Sequence, residues 1–171
     1  MNIVETQRLR LRTLEADDAV FYLGLVNDPA FIEFIGDRKI RTVDAAREAI
    51  VAGPAAMQAA RGHSIYLVEL KETGEPLGMS GLIKRDTLEE VDIGYAFLPQ
   101  HCGKGYAYEA GAAVVEHARR DIGLERLLAI TSPGNATSIA LLAKLGFGFD
   151  KVVHLTEDDP GTNLYSLDLA R

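Results

Sequence analysis

A glycine-rich turn at residues 100–105 has the composition of an anion-binding loop. It lies between an apolar segment that ends at Leu98-Pro99 and the strongest helical pattern of the chain. The first N–H groups of a helix lack intrahelical partners and lie at the positive end of its dipole, so they converge on a phosphate-sized volume. Glycines leave room for a phosphate beside the backbone and permit positive φ angles. The predicted diphosphate cup is formed by the backbone of His101, Cys102, Gly103, Lys104, Gly105, Tyr106 and Ala107, with Lys104 adding positive charge.

Two better-known phosphate motifs do not fit this turn. A P-loop requires Ser or Thr after its Gly-Lys pair, whereas Gly105 follows Lys104. A dinucleotide fingerprint requires a third glycine where Tyr108 stands. The turn therefore does not indicate a magnesium-dependent kinase or hydrolase. A tight connection without any ligand remains the structural alternative.

Four polar residues elsewhere are candidates for chemistry. Asn135 precedes a predicted helix and is among the best N-cap types, while Ser138 fits an exposed position in the first turn. Glu90 and Asp92 flank the start of an apolar segment, where a carboxylate can relay a proton through water or simply be a solvated strand end. No metal is predicted, because the histidines show no ligand-like pairing; they are His63, His101, His117 and His154.

The segment from Val91 to Leu98 must position these groups, and its alternation predicts a strand. One face carries Val91, Ile93, Tyr95 and Phe97, and the other carries Asp92, Gly94, Ala96 and Leu98. Small residues at 94 and 96 permit either a ligand that pairs with the backbone like an added strand or a closely packed helix. Both explanations remain open at this stage.

The remaining pattern predicts an alternating series of strands and helices. Strands are predicted over residues 5–12, 64–70, 77–84, 126–131, 152–155 and 164–169. Helices are predicted over residues 19–26, 31–34, 43–61, 106–120 and 136–145. The Gly53-Pro54 pair should kink or split the third helix, because proline lacks the N–H group that a helix interior requires.

Composition narrows the class of protein. A chain of 171 residues fits one domain, 1–171, with a sizeable core. A single cysteine excludes an intramolecular disulfide and favours a cytoplasmic location, and no apolar run predicts a membrane span or an export signal. The net charge of −7 gives no support to nucleic-acid binding and suits a cationic partner. Whether the chain forms a homodimer stays open.

Four segments together resemble the GNAT superfamily of acetyl-CoA-dependent N-acetyltransferases, in its RimJ/RimL-type branch. They are Glu5 to Arg12, Ile93 to Pro99, Gly103 to Ala110, and Asn135 to Phe147. The resemblance implies an α+β (mixed α/β) fold, in which a mostly antiparallel twisted sheet is flanked by helices and splayed between its fourth and fifth strands. It also implies that free N–H groups around Ala96 and Phe97 meet the thioester and that Leu98 belongs to the cofactor-binding residues. The chain departs from the branch at His101-Cys102, where a bulky aromatic or basic residue is common.

The resemblance also assigns roles to the polar residues. It implies that Ser138 protonates the departing thiolate and that Asn135 binds the pantetheine arm, with direct transfer to the acceptor. The predicted function is therefore an acetyl-CoA-dependent N-acetyltransferase acting on a primary amine, either a protein N-terminus or a small molecule. A non-catalytic acyl-CoA-binding module is the alternative. The acidic segment 157–159 either attracts a cationic amine or is a solvated turn.

Overall fold

The computed structural model describes residues 1–170, in which eight strands form one mixed sheet. The strands are β1 Asn2–Glu5, β2 Leu9–Thr13, β3 Ile65–Leu70, β4 Pro76–Ile83, β5 Asp92–Phe97, β6 Arg126–Thr131, β7 Gly148–Val153 and β8 Thr162–Asp168. Their spatial order is β1-β2-β3-β4-β5-β6-β8-β7, and every pair is antiparallel except β5–β6. The predicted mostly antiparallel sheet is confirmed, and its one parallel pair is β5–β6.

Six α-helices cover the two faces of this sheet. They are α1 Ala19–Val26, α2 Pro29–Phe34, α3 Val43–Ile50, α4 Ala56–Arg61, α5 Tyr106–His117 and α6 Ala136–Leu145. The predicted break at Gly53-Pro54 is confirmed, since a wide π-helical turn at Val51–Ala55 separates α3 from α4. Such a turn accommodates a proline, which has no N–H group to donate. A second π-helical turn, Ala118–Ile122, extends α5 to Gly123.

The parallel strands β5 and β6 meet at one end and then separate. Their register contains the single pair Asp92 and Leu128, where the Leu128 N–H donates to the Val91 carbonyl at 2.9 Å. These are the fourth and fifth strands of the sequence prediction, so the predicted splay is confirmed. The structure numbers them β5 and β6 because it contains one additional strand, Asn2–Glu5, which pairs with β2. The sequence pattern did not predict this strand.

Strand β5 divides its side chains between two cores, as its alternation predicts. Ile93, Tyr95 and Phe97 join the core beneath α5 and α6, whereas Ala96 packs with the core of α1 and α3. Gly94 is small for a local reason, because a Cβ there would lie 2.6 Å from the Ile83 Cδ1 atom. Gly94 therefore lies beside the flexible tip of a side chain from the neighbouring strand β4.

Helix α5 is held against the sheet by small residues. Ala110 and Val114 are fully buried. A Cβ at Gly111 would lie 3.0 Å from Leu145 of α6, so glycine allows the two helices to approach closely. This packing fixes the N-terminus of α5 beside the end of β5.

Among residues 1–170, no helix is long and apolar enough to cross a membrane.

Candidate functional site

The turn before α5 has the backbone geometry of an anion cup. Gly103 and Gly105 have φ angles of 80° and 82°, and Gly105 is the N-cap of α5 without any side-chain cap. Within residues 1–170, the N–H groups of residues 103–108 donate to no protein acceptor. Six consecutive donors are thus available at the positive end of a 12-residue helix. This is an arrangement that binds phosphate groups.

The cup lies two residues later than the sequence predicts. The His101 and Cys102 N–H groups donate to the carbonyls of Leu98 and Pro99 at 3.0 and 3.1 Å, so they are already used in a short 3₁₀ turn. The His101 side chain is buried with Nε2 3.5 Å from a carboxylate oxygen of Glu75 in the β3–β4 hairpin. The exposed Cys102 thiol contacts the Leu98 carbonyl at 3.6 Å. Neither residue presents an amide donor to an anion, whereas Gly103 to Ala107 do.

A strip of unpaired backbone lies where β5 and β6 separate. The Leu98 N–H donates to Leu77 on the β4 side at 3.1 Å, whereas the Val91 carbonyl faces β6. The N–H and C=O groups of successive residues in an antiparallel strand point to alternate sides. Those of Tyr95 and Phe97 therefore face the gap that opens between β5 and β6. The Ala96 carbonyl faces β4 instead, where a Cβ on Gly78 would collide with it. Of the predicted donors Ala96 and Phe97, only Phe97 directs its N–H group into the gap, and the backbone N–H of the cofactor-binding candidate Leu98 is used by β4.

A hydroxyl pair from β5 and α6 stands beside this gap. The Tyr95 hydroxyl and Ser138 Oγ lie 2.6 Å apart and share a hydrogen bond. Ser138 is buried, with 8% of its surface exposed, which rules out the exposed first-turn explanation. Burial raises the pKa of Tyr95 above its ordinary value, and the hydrogen bond with Ser138 only partly offsets this. The pair therefore holds its protons at neutral pH.

Asn135 uses one half of its side chain as the N-cap of α6. Its Oδ1 atom accepts from the Ser138 N–H at 3.2 Å, which confirms the capping interpretation. Its Nδ2 group makes no hydrogen bond among residues 1–170, so it is available to a ligand. Capping and ligand binding are therefore compatible in one side chain, and the cap also fixes the backbone that carries Ser138.

Asp92 is a buried carboxyl on the opposite face of β5 from Tyr95. It is 0% exposed, its Oδ1 accepts from Arg85 Nε at 3.0 Å, and its Oδ2 has no partner. Burial raises the pKa of Asp92 to about 6, and the nearby Arg85 guanidinium lowers it only in part. A carboxyl with this pKa is largely ionised at neutral pH and is a stronger base than an exposed one.

Glu90 is not brought to the gap. Its carboxylate lies 3.1 Å from Arg126 Nη1 at the start of β6, at the end where the two strands still pair. Glu90 precedes β5 and lies five residues from Tyr95, which corresponds to roughly 17 Å at about 3.3 Å per residue of extended chain. The structure therefore separates this predicted catalytic carboxylate from the hydroxyl pair.

The acidic segment 157–159 is only partly free. The Asp159 carboxylate accepts from the N–H groups of Leu155 and Gly161 and from the Thr162 hydroxyl, at 2.9, 2.8 and 2.7 Å. These bonds hold the β7–β8 loop, so Asp159 has a structural role. Glu157 and Asp158 remain exposed.

Tyr95 is the site residue that sequence reasoning missed. The alternation placed it correctly on one face of β5, but nothing assigned it a role. A polar aromatic within an otherwise apolar strand that leads to the anion turn was the available signal, because a buried tyrosine hydroxyl usually has a hydrogen-bond partner. In the described residues, no group of three His, Cys, Asp or Glu side chains is arranged to hold a metal ion.

Comparison with known proteins relates the chain to acetyltransferases by both sequence and structure. The family model described as Acetyltransferase (GNAT) domain matches residues 8–148. The uncharacterized protein YkkB of Bacillus subtilis (strain 168) is 31% identical over 151 residues, 86% of each chain. A crystal structure of an acetyltransferase from Agrobacterium tumefaciens str. C58 matches with a TM-score of 0.82 at 26% identity, covering 98% of this chain and 94% of that one. The ribosomal L7/L12 alpha-N-protein acetyltransferase RimL, in complex with coenzyme A, matches with a TM-score of 0.82 at 16% identity and 98% coverage of both, a likeness of fold alone.

Proposed function

Because the chain belongs to the acetyltransferase (GNAT) family, we propose that it transfers an acetyl group from acetyl-CoA directly to a primary amine. The observation that carries this proposal is the run of unpaired N–H groups at residues 103–108 beside the open edge of β5. A diphosphate requires several converging donors, and an extended pantetheine arm requires an unpaired strand edge. Both lie in one continuous stretch of chain. The coenzyme A complex of the RimL neighbour is consistent with this use of the fold.

The protein's own residues divide the binding of acetyl-CoA between them. Gly103 to Ala107 would hold the diphosphate through backbone N–H groups, with Lys104 adding positive charge. The backbone of Phe97 and the Nδ2 group of Asn135 would hold the pantetheine arm. Bound acetyl-CoA supplies an activated thioester. Orienting that thioester at a fixed gap converts an encounter of two solutes into an effectively unimolecular event.

The hydroxyl pair is proposed to hold the proton that the leaving thiol needs. Tyr95 remains protonated at neutral pH because burial raises its pKa, and Ser138 lies 2.6 Å from it. Proton transfer by a positioned side chain typically contributes about 10²–10⁴-fold to a rate. We assign the donor role to the pair rather than to Ser138 alone, since either oxygen can pass the proton to the other.

Asp92 is proposed to accept the proton of the incoming amine. Its raised pKa, about 6, gives a carboxylate at neutral pH with more basicity than an exposed aspartate. Asp92 is fully buried, pairs in register with Leu128 and lies five residues, roughly 17 Å, from Phe97, so a chain of water molecules must connect its unpartnered oxygen to the amine. Glu90 is not included, because its carboxylate accepts a hydrogen bond from Arg126 and lies two residues farther from the gap than Asp92.

The function is tested by incubating the protein with acetyl-CoA and a panel of amines. The panel contains short peptides with free N-termini, polyamines and small amino compounds, and the readouts are free-thiol release and mass spectrometry of the acceptor. We expect a mass gain of one acetyl group on at least one amine. Coenzyme A binding by calorimetry without any acetylated product would instead favour the non-catalytic acyl-CoA-binding module. No binding of either coenzyme A or acetyl-CoA would refute both.

The proton-donor role is tested by Tyr95→Phe and Ser138→Ala. Each should lower kcat by about 10-fold or more while the Kd for coenzyme A stays within about twofold, because the lost group acts on the leaving thiol. Tyr66→Phe is the matched control, since it also removes a buried tyrosine hydroxyl that has a side-chain partner, His117 at 3.1 Å. An equal loss of kcat in the control would remove Tyr95 from the mechanism.

A further inference from the structure

The turn between β1 and β2 is fastened to the anion cup by a single arginine. Arg8 lies about 100 residues from the cup in sequence, yet its Nη1 group donates to the Lys104 carbonyl at 3.0 Å. Its guanidinium carbon lies 4.5 Å from the centre of the Tyr106 ring, and a Cβ on Gly105 would lie 3.3 Å from Nη2. The guanidinium therefore contacts Lys104 and Tyr106 and lies close beside Gly105, which stands between them. Nothing in the function proposed above uses Arg8.

Glu109, in the first turn of α5, holds this arginine in place. Its carboxylate accepts from Arg8 Nε at 2.7 Å and from the Arg8 N–H at 2.9 Å. It also accepts from the Thr6 hydroxyl at 2.5 Å. Burial alone would raise the pKa of Glu109, but these hydrogen bonds outweigh it and lower the pKa below its ordinary value. The carboxylate is thus fully ionised at neutral pH and orients the guanidinium fork.

Because the peptide bond is planar, the hydrogen bond from Arg8 to the Lys104 carbonyl also fixes the direction of the Gly105 N–H group. In a trans peptide the carbonyl of one residue and the N–H of the next point in opposite directions. When Arg8 holds the Lys104 carbonyl, the Gly105 N–H must point away from Arg8. Gly105 is also the residue at φ 82° that begins the helix, so its N–H belongs to the unpaired set. Arg8 therefore fixes the direction of a central donor of the cup without facing the cup itself.

We propose that Arg8, oriented by Glu109, is a positioning residue that sets the backbone of the diphosphate-binding turn. This inference rests on the function proposed above and adds a residue to it. The Arg8–Glu109 pair is partly exposed, with 41% and 19% of the side chains accessible, and such pairs contribute little to overall stability. Its effect is therefore expected in affinity for diphosphate-containing ligands rather than in folding.

The test compares a donor that has a diphosphate with one that lacks it. Arg8→Ala should raise the Kd for coenzyme A by about 10-fold, because the charge-assisted hydrogen bond to the Lys104 carbonyl that orients the Gly105 N–H is lost. Turnover of S-acetylpantetheine, which has no diphosphate, should change by less than about twofold. Arg8→Lys should not restore affinity, since an ammonium cannot bind Glu109 and the Lys104 carbonyl as a planar fork. Arg8→Lys also replaces Arg8→Ala as the test variant if Arg8→Ala fails to fold.

Arg119→Ala is the matched control at the far end of the same helical segment. Arg119 pairs with Glu116 at 2.7 Å and has a similar exposure, 39%, but contacts no residue of the cup. It should leave the Kd for coenzyme A unchanged. Hydrogen exchange of peptides covering residues 102–108 gives a readout that needs no ligand, and Arg8→Ala should accelerate exchange there while Arg119→Ala does not.

The outcomes separate the two proposals. If the wild type binds coenzyme A and Arg8→Ala binds it equally well, the positioning role is overturned and the proposed function stands. If Arg8→Ala loses coenzyme A and S-acetylpantetheine turnover equally, Arg8 is merely structural and the inference is again overturned. If the wild type binds no coenzyme A, the proposed function fails, and unchanged exchange at residues 102–108 would then overturn the positioning role as well.

Discussion

Replacing Asp92 with asparagine should change how stability depends on pH. The Asp92 carboxyl is fully buried, and burial raises its pKa from the ordinary value of 3.8 to about 6 in spite of Arg85. The folded protein therefore binds this proton more tightly than the unfolded chain does. Asp92 contributes stability that is complete below pH 3.8 and is lost as the pH rises through about 6.

The size of the effect follows from the two pKa values. Between 3.8 and about 6, each pH unit costs about 1.4 kcal/mol, so ionised Asp92 destabilises the folded state by about 3 kcal/mol above pH 7 relative to its protonated form. Asparagine has no charge to bury and keeps an oxygen that accepts from Arg85 Nε. The free energy of unfolding of Asp92→Asn, relative to the wild type, should therefore increase by up to about 3 kcal/mol between pH 4 and pH 7.

The assay is urea unfolding of both proteins at half-unit steps from pH 4 to pH 7.5. Asp18→Asn is the control because the pKa of Asp18 moves in the other direction. Burial acts to raise the Asp18 pKa, but hydrogen bonds from Arg12 and the Glu15 N–H outweigh burial and lower it. Asp18 thus stabilises the fold above pH 3.8, and its replacement should be destabilising by a nearly constant amount across this range. A flat or falling difference for Asp92→Asn would refute the reasoning.

Two further predictions concern stability and local order. His117→Leu should lower the free energy of unfolding, measured in urea, by about 1–3 kcal/mol, because it leaves the buried Tyr66 hydroxyl without its hydrogen-bond partner at 3.1 Å. Adding Tyr66→Phe to this variant should recover part of the lost stability. If it recovers none, the hydrogen bond is not the cause of the loss. Asp159→Ala should accelerate hydrogen exchange in the β7–β8 loop, because Leu155 and Thr162 lose their shared acceptor, while exchange in α5 stays unchanged. Equal acceleration in both regions would contradict this local role.

The anion turn and the helix after it could be predicted because their signals are local. A helix N-terminus exposes its N–H groups whatever surrounds it, and Gly103 and Gly105 have the positive φ angles that the motif implies. Alternation likewise assigned the side chains of β5 to the correct faces, since a strand has a fixed period of two. The sequence did not reveal that the N–H groups of His101 and Cys102 donate hydrogen bonds within a 3₁₀ turn. Formation of this turn depends on local backbone geometry rather than on residue type.

The contacts that could not be predicted join distant parts of the chain. Glu109 reaches Arg8 across 101 residues, and Tyr95 reaches Ser138 across 43, so no local window contains either pair. Strand β1 was missed for a related reason. Its four residues, Asn2–Glu5, alternate too briefly to be told from the adjacent β2, and only pairing with β2 makes them a strand.

The placement of proton sites on opposite faces of β5 follows from the same period of two. Asp92 lies on the face of α1 and α3, whereas Tyr95 lies on the face of α5 and α6 and meets Ser138. Tyr95 keeps its proton because burial raises its pKa above the ordinary value of 10, well above the pKa of about 6 for Asp92, so a protonated hydroxyl and an ionised carboxylate coexist at neutral pH. Backbone pairing between β5 and β6 stops beyond the pair Asp92 and Leu128. A thioester held in that gap would be open to an amine from one face and could release its thiol toward the other. On the proposed function, the divergence of the two strands, rather than any single side chain, gives both faces of the sheet access to one thioester.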